Sequence, residues 1–137
     1  MLPSFHDDHL VGYEVECEVR QIRLHIRAVA SETEPAGVRT VVFTGVEGYH
    51  FENDAFGNII LDLEAVTLTQ FVSQGPSELA ASYRMSGAPG TWASDIDTAP
   101  RVLSERGIQA YVLSSSYGLS GWVLAREASV IPGRGAK

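Results

Sequence analysis

The chain has 137 residues, enough for one domain with a core of its own, and its 45% hydrophobic and 20% charged residues are the balance of a globular protein rather than a disordered one. No apolar run is long enough for a transmembrane helix, and a formal net charge of −7 works against nucleic acid and anionic membranes as partners. Cys17 is the only cysteine, which excludes an internal disulfide and a multi-cysteine zinc site.

The charge is unevenly spread. Residues 1 to 70 carry twelve acids against four arginines, a net of −8, while residues 71 to 137 carry five acids against six basic side chains, a net of +1. Such a first half attracts a basic partner protein; its other use is solubility. The first ten residues lack the basic start and apolar stretch of a secretory signal, so the expected compartment is the cytoplasm.

In chain order, Phe5-His6-Asp7-Asp8-His9-Leu10 places a dense group of metal-ligating side chains before the first strand. From Val11 to Val29 every second side chain is apolar, the period of a half-buried strand. Val11, Tyr13, Val15 and Cys17 alternate with Gly12, Glu14, Glu16 and Glu18; then Ile22, Leu24, Ile26 and Ala28 alternate with Arg23, His25 and Arg27. A reversal around Val19 to Gln21 makes an antiparallel hairpin whose acidic row lies opposite the basic row on the water face, each cross-strand pair being worth roughly 0.2 to 1 kcal/mol. The turn lacks Asn-Gly or Asp-Gly, so a single bent strand is the alternative. Cys17, in the apolar row, is expected to be buried.

Ser31 to Gly37 has turn composition and predicts an exposed loop. Val38 to Val46 predicts a strand covered on both faces around Val41-Val42-Phe43, and Tyr49 and Phe51 resume the alternation after Gly45 and Gly48. Asn53-Asp54 and Gly57-Asn58 mark a turn, and Asn58 to Phe71 reads as a further strand region. A short helix is expected at Glu78 to Met85, and a better-marked one begins with Asp97 or Thr98 as cap, carries Pro100 in its first turn and ends at Gly107. Trp92 lies between them. Ile108 to Ser114 and Leu119 to Ile131 form a second hairpin about Ser115 to Gly118, with Trp122 to Ala125 too continuously apolar for an open strand. The result is one domain over 1–137, with a helical insertion at about 76–107 and a flexible tail at 132–137. Its expected class is α+β: a mostly antiparallel sheet curled into a sandwich or partly open barrel, with two short helices on one side.

Chemistry is thinly signposted. His6, Asp8 and His9 are the candidate ligands of a metal-dependent enzyme, since imidazole and carboxylate suit zinc, manganese or iron; on a strand, however, neighbouring side chains point to opposite faces. Gly118-Leu119-Ser120-Gly121 lacks the spacing of a nucleophile elbow, and no Gly-rich run is followed by lysine. Tyr13, Phe43, Tyr49, Phe51, Tyr111 and Trp122 would either line the cavity of a small-molecule carrier or fill the interior, and in so small a barrel a filled interior is expected.

Three stretches resemble small bacterial immunity proteins encoded beside polymorphic toxins, in particular the family numbered fifty. They are Phe5-His6-Asp7 followed by a strand; Val42-Phe43-Thr44-Gly45-Val46 followed by Asn58-Ile59-Ile60; and the run from Ser115 to Trp122. The resemblance implies a non-catalytic protein that neutralises a toxin by binding it, with no cofactor and no catalytic residue to carry over. The expected function is therefore a cytoplasmic binding protein, with Glu14, Glu16, Glu18, Glu47, Glu52 and Asp54 steering a basic partner. Edge strands around Val11 to Val29 can also pair with a second copy, so a homodimer is a further expectation.

Overall fold

The structure, a computed structural model, describes residues 2–29, 37–74 and 90–134, together with Leu79, Ser82 and Met85. The alternating N-terminal stretch folds as a hairpin of β1 (His9–Glu16) and β2 (Gln21–Arg27), with Glu14 directly opposite Arg23. Its reversal occupies Cys17 to Arg20, closed by a hydrogen bond from Arg20 N–H to the Cys17 carbonyl at 3.4 Å, with Arg20 in the left-handed region. Cys17 therefore lies in the turn and is exposed, not buried as its place in the apolar row suggested. A bulge at Val11 shifts the register between Leu10 and Gly12.

Among the described residues six further strands follow: β3 (Val38–Thr44), β4 (Gly48–Glu52), β5 (Asn58–Val66), β6 (Gln109–Tyr117), β7 (Ser120–Ala125) and β8 (Glu127–Pro132). All pairings are antiparallel, in the order β4-β7-β6-β5-β1-β2-β3-β8, so hydrogen bonding leaves β4 and β8 as edges and does not close the sheet into a barrel. Chain continuity links the two ends. β3 runs into β4 through a bend at Gly45 to Glu47, and β7 into β8 through Arg126; β3 pairs with β8 while β4 pairs with β7. The long strand expected from Leu119 to Ile131 is thus a bent pair of strands that belongs to both ends of one sheet. Arg126 N–H holds the corner by donating to the carbonyls of Thr44 and Gly45, at 3.0 and 3.3 Å. The β6–β7 turn is tighter than expected and centres on Gly118, where φ is +95° and a Cβ would stand 2.0 Å from Asn58 Oδ1.

Two apolar clusters result. The inner one lies in the curl of the sheet and includes Leu10, Ile22, Leu24, Ile26, Val41, Phe43, Ile60, Leu63, Tyr111, Leu113 and Val123, with Val15, Phe51 and Val130 at its margin. The outer one lies on the opposite face of β5, β6 and β7, under α1 (Leu68–Gln74), a 3₁₀ turn (Thr91–Ser94) and α2 (Ala99–Glu105); it gathers Phe71, Val72, Trp92, Leu103, Ala110 and Leu124. β7 shows the division: Val123 and Ala125 face inward, Trp122 and Leu124 outward. That is the two-sided burial its continuous apolar run predicted.

The second expected helix is α2, with Thr98 at its N-cap, proline in its first turn and Gly107 at φ +75° beyond its end. The first, at 78–85, falls largely outside the described residues, as does most of the loop at 31–37. Strand was expected through Phe71, but β5 ends at Val66 and α1 follows. Thr67 decides this, because its hydroxyl accepts the Gln70 N–H at 3.0 Å and so caps the first turn.

His25, expected in water, is 4% exposed. It links Glu14, at 3.3 Å from Nε2, to Thr40, at 2.9 Å from Nδ1, and the Thr40 hydroxyl donates to the Gly133 carbonyl at 2.7 Å. Gly133 N–H in turn donates to Val38. The expected loose tail is therefore held against β3 as far as Gly133.

Candidate functional site

The N-terminal cluster is not brought together. Asp8 is buried with its carboxylate 3.0 Å from Arg39, whose guanidinium lies 4.5 Å over the Phe5 ring. His6 Nδ1 donates to the Leu61 carbonyl at 2.9 Å; that carbonyl, and secondarily Asp7, raise its pKa above the ordinary histidine value. His9 pairs opposite Arg27 in the hairpin. Among the described residues no group of three or more His, Cys, Asp or Glu side chains is placed to hold a metal ion, so His6, Asp8 and His9 do not assemble as the metal reading required.

The six acids expected to face a partner have separate employments. Glu14 contacts buried His25, and Glu47 accepts from Arg106. Glu16 and Glu18 are exposed at the end of the hairpin, and Glu52 is exposed beside His50 at 3.6 Å. Asp54 organises the loop between β4 and β5. Its Oδ1 accepts from Asn58 Nδ2 at 2.9 Å and from Phe56 N–H at 2.8 Å, and its Oδ2 accepts the Tyr13 hydroxyl at 3.0 Å. These donors, the Asn58 amide first, hold the Asp54 carboxyl below its usual pKa, while burial and the neighbouring carboxylate push the Tyr13 hydroxyl up. Asn58 is itself buried, and its Oδ1 accepts from Ala55 and Leu119 N–H, which ties the loop to the β6–β7 turn.

This network supports an aromatic surface. Past Leu10, β1 has no strand partner on its β5 side among the described residues, and β4 is an edge. Between the two, Tyr13, Phe51 and Tyr49 form a chain of rings with centroids 5.7 and 5.4 Å apart. Tyr13 is 38% exposed and Tyr49 42%, so their alternation on the apolar face leads to the rim of the inner cluster, not its centre. At the loop tip Phe56 is 97% exposed. It has φ +60° and Asn53 has φ +65°, left-handed conformations rarely adopted by residues with side chains. A phenylalanine held in solvent by a hydrogen-bonded loop, linked through the Asp54 carboxylate to Tyr13 and so to the chain of half-exposed rings, has the composition of an interface core with an acidic member.

Of the expected acids Asp54 belongs to this surface, whereas Glu52 pairs with His50 on the face of β4 opposite Tyr49 and Phe51. Glu47 instead faces a pocket, and Glu14 lies on the opposite face of β1 from Tyr13. Phe56 was missed by sequence reasoning, which took Asn53 to Asn58 as a turn only; an aromatic residue at the centre of a turn was the available signal. No helix among the described residues is long and apolar enough to cross a membrane. Comparison with family models, with curated proteins and with solved structures finds no match to this chain.

Proposed function

We propose that this chain is a non-catalytic, cytoplasmic binding protein of the immunity kind, which neutralises a basic toxin by covering it with the surface of Tyr13, Tyr49 and Phe56. The observation that carries this reading is Phe56, whose ring lies in water although its loop is hydrogen-bonded to β1 and to the β6–β7 turn. Exposed aromatic rings on a preorganised support supply contact area at low entropic cost, and the acidic first half of the chain speeds encounter with a cationic partner. The resemblance of the Phe5-His6-Asp7, Val42 to Val46 and Ser115 to Trp122 stretches to immunity proteins points the same way.

The test is co-expression with the product of each neighbouring gene in a host that the toxin kills. Protection by the native chain is expected, with affinity that falls as salt rises. Phe56→Ala should weaken binding by roughly 30-fold or more, as for an interface hot spot, without loss of folding. A neighbourhood with no toxin, or protection that survives combined replacement of Tyr13, Tyr49 and Phe56 by alanine, would refute the reading.

A further inference from the structure

At the corner where the paired strands bend, three arginines from distant parts of the chain converge. Arg20 ends the β1–β2 turn, Arg106 follows α2 and Arg126 separates β7 from β8; with Glu47, Thr91 and Gly90 they line a pocket of about 460 Å³. Each is fastened to the Gly45 to Glu47 bend. The Arg20 carbonyl accepts Val46 N–H at 3.0 Å, and its guanidinium donates to the Val46 carbonyl at 3.3 Å. Arg106 donates to Glu47. The Arg126 backbone N–H bonds the bend, and its side-chain stem lies against Gly45, where a Cβ would come within 2.8 Å of it. At φ +61° and with that neighbour, position 45 excludes a side chain, and the Arg126 stem occupies the space.

The charge here is opposite to that of the molecule. Three of the ten basic residues face one carboxylate, a local net of +2 on a chain of net −7. A guanidinium carries five donors in a planar fork matched to oxyanions; Arg20 and Arg106 each use one side-chain hydrogen bond within the protein, and the Arg126 side chain forms none among the described residues. Clamping the bend therefore leaves most of the donors unused. Glu47 neutralises one cation, and the two that remain match the charge of a phosphate monoester near neutral pH. Among the described residues the wall holds no aromatic ring on which a base could stack, and the volume exceeds that of a bare phosphate, which leaves room for a small polar body.

We infer that the Arg20–Arg106–Arg126 pocket binds a small phosphate monoester. The site is independent of the aromatic surface and goes beyond the binding role proposed above. Isothermal titration with glucose 6-phosphate, inorganic phosphate and glucose at fixed ionic strength tests it. Glucose 6-phosphate should bind saturably and more tightly than inorganic phosphate, and glucose should not bind. Arg126→Gln and Arg20→Gln should each weaken the ester at least about tenfold, the worth of a charge-assisted hydrogen bond, while Arg101→Gln, on the exposed side of α2, should leave it unchanged. Two variants guard against a folding artefact, and the thermal transition of each is recorded beside its titration. Absence of saturable binding to the native chain, tighter binding of inorganic phosphate than of the ester, or equal affinity in Arg126→Gln and the native chain would overturn the assignment.

Discussion

The inner and outer apolar clusters are built from different kinds of support. Every strand of the sheet contributes to the inner cluster, and its residues are positioned by hydrogen-bonded registers, β2 for example being paired on both sides along its length. The outer cluster joins one face of β5, β6 and β7 to short helices and a 3₁₀ turn, which rest on the sheet by packing of Phe71, Trp92 and Leu103 without strand pairing. Helices of seven residues are too short to persist alone, so the outer layer depends on the sheet, whose strands are held by their own registers. Opening of the outer layer is therefore the lower-energy excursion, and unfolding of the inner cluster is the global one.

The largest expected effects test that ranking. Phe43 is fully buried in β3 with its ring 5.2 Å from Tyr111, and Phe43→Ala should cost roughly 3 to 5 kcal/mol, lost from the global transition. Leu103 is equally buried, and Leu103→Ala should cost roughly 2 to 5 kcal/mol, but within the outer layer. Urea unfolding with amide hydrogen exchange separates them. In Leu103→Ala, exchange should accelerate at 68–74 and 99–105 while amides of Leu24 and Val41 keep most of their protection. Equal acceleration in β2 and β3 would show that the two clusters unfold as one.

The same division governs what the sequence made legible. The strands of the first hairpin alternate, and one periodic pattern covers both of its arms, so its pairing could be anticipated although its turn has no favoured dipeptide. Alternation does not report where a strand changes partner. From Trp122 to Ile131 no glycine, proline, asparagine or aspartate marks a break, which is why Leu119 to Ile131 read as one strand; the inward positions nevertheless change phase at Arg126-Glu127, from Val123 and Ala125 to Ala128 and Val130. Nor does the alternation of a hairpin report its other neighbours: His25 belongs to the polar row by period, yet it is buried and bonded to Thr40 opposite it on β3, whose hydroxyl donates to the Gly133 carbonyl. In the outer layer Val66 to Phe71 mixes apolar residues with two threonines, and read as more strand; Thr67-Leu68-Thr69-Gln70 was the overlooked capping pattern. Arg20, Arg106 and Arg126 have no local spacing at all, because the bend alone brings them together.

Removing that cap is the next test in size. Thr67→Ala deletes the acceptor of the Gln70 N–H and should cost about 0.5 to 2 kcal/mol, whereas Thr67→Ser should restore most of it. If the outer layer opens separately, the loss appears as faster exchange in α1 with little change in the global urea midpoint. A midpoint shift of the full size would instead tie α1 to the inner cluster.

The smallest effect concerns the rim of the inner cluster, where Asp54 joins the loop to Tyr13. Hydrogen bonds from Asn58 and Phe56 keep the folded carboxyl below its ordinary pKa. A group depressed on folding contributes stability above its unfolded pKa and loses it as pH falls through the folded value, so this contribution is present at neutral pH and fades below about pH 4. Tyr13 has the opposite sign. Its hydroxyl is raised by burial and by Asp54, so its contribution is present below about pH 10 and is lost as pH rises through the folded value. Asp54→Asn should therefore melt below the native chain at pH 7, with the gap closing in acid, and Tyr13→Phe should flatten the alkaline limb and, by removing one donor to Asp54, also weaken the acid one slightly. Because both groups serve the loop that presents Phe56, the same titrations should move the exposure of that ring, read by ring proton shifts, before they move the global transition. A gap in melting temperature that stays constant from neutral pH into acid would mean that Asp54 acts by shape rather than by charge, and the loop would then owe its conformation to Asn58.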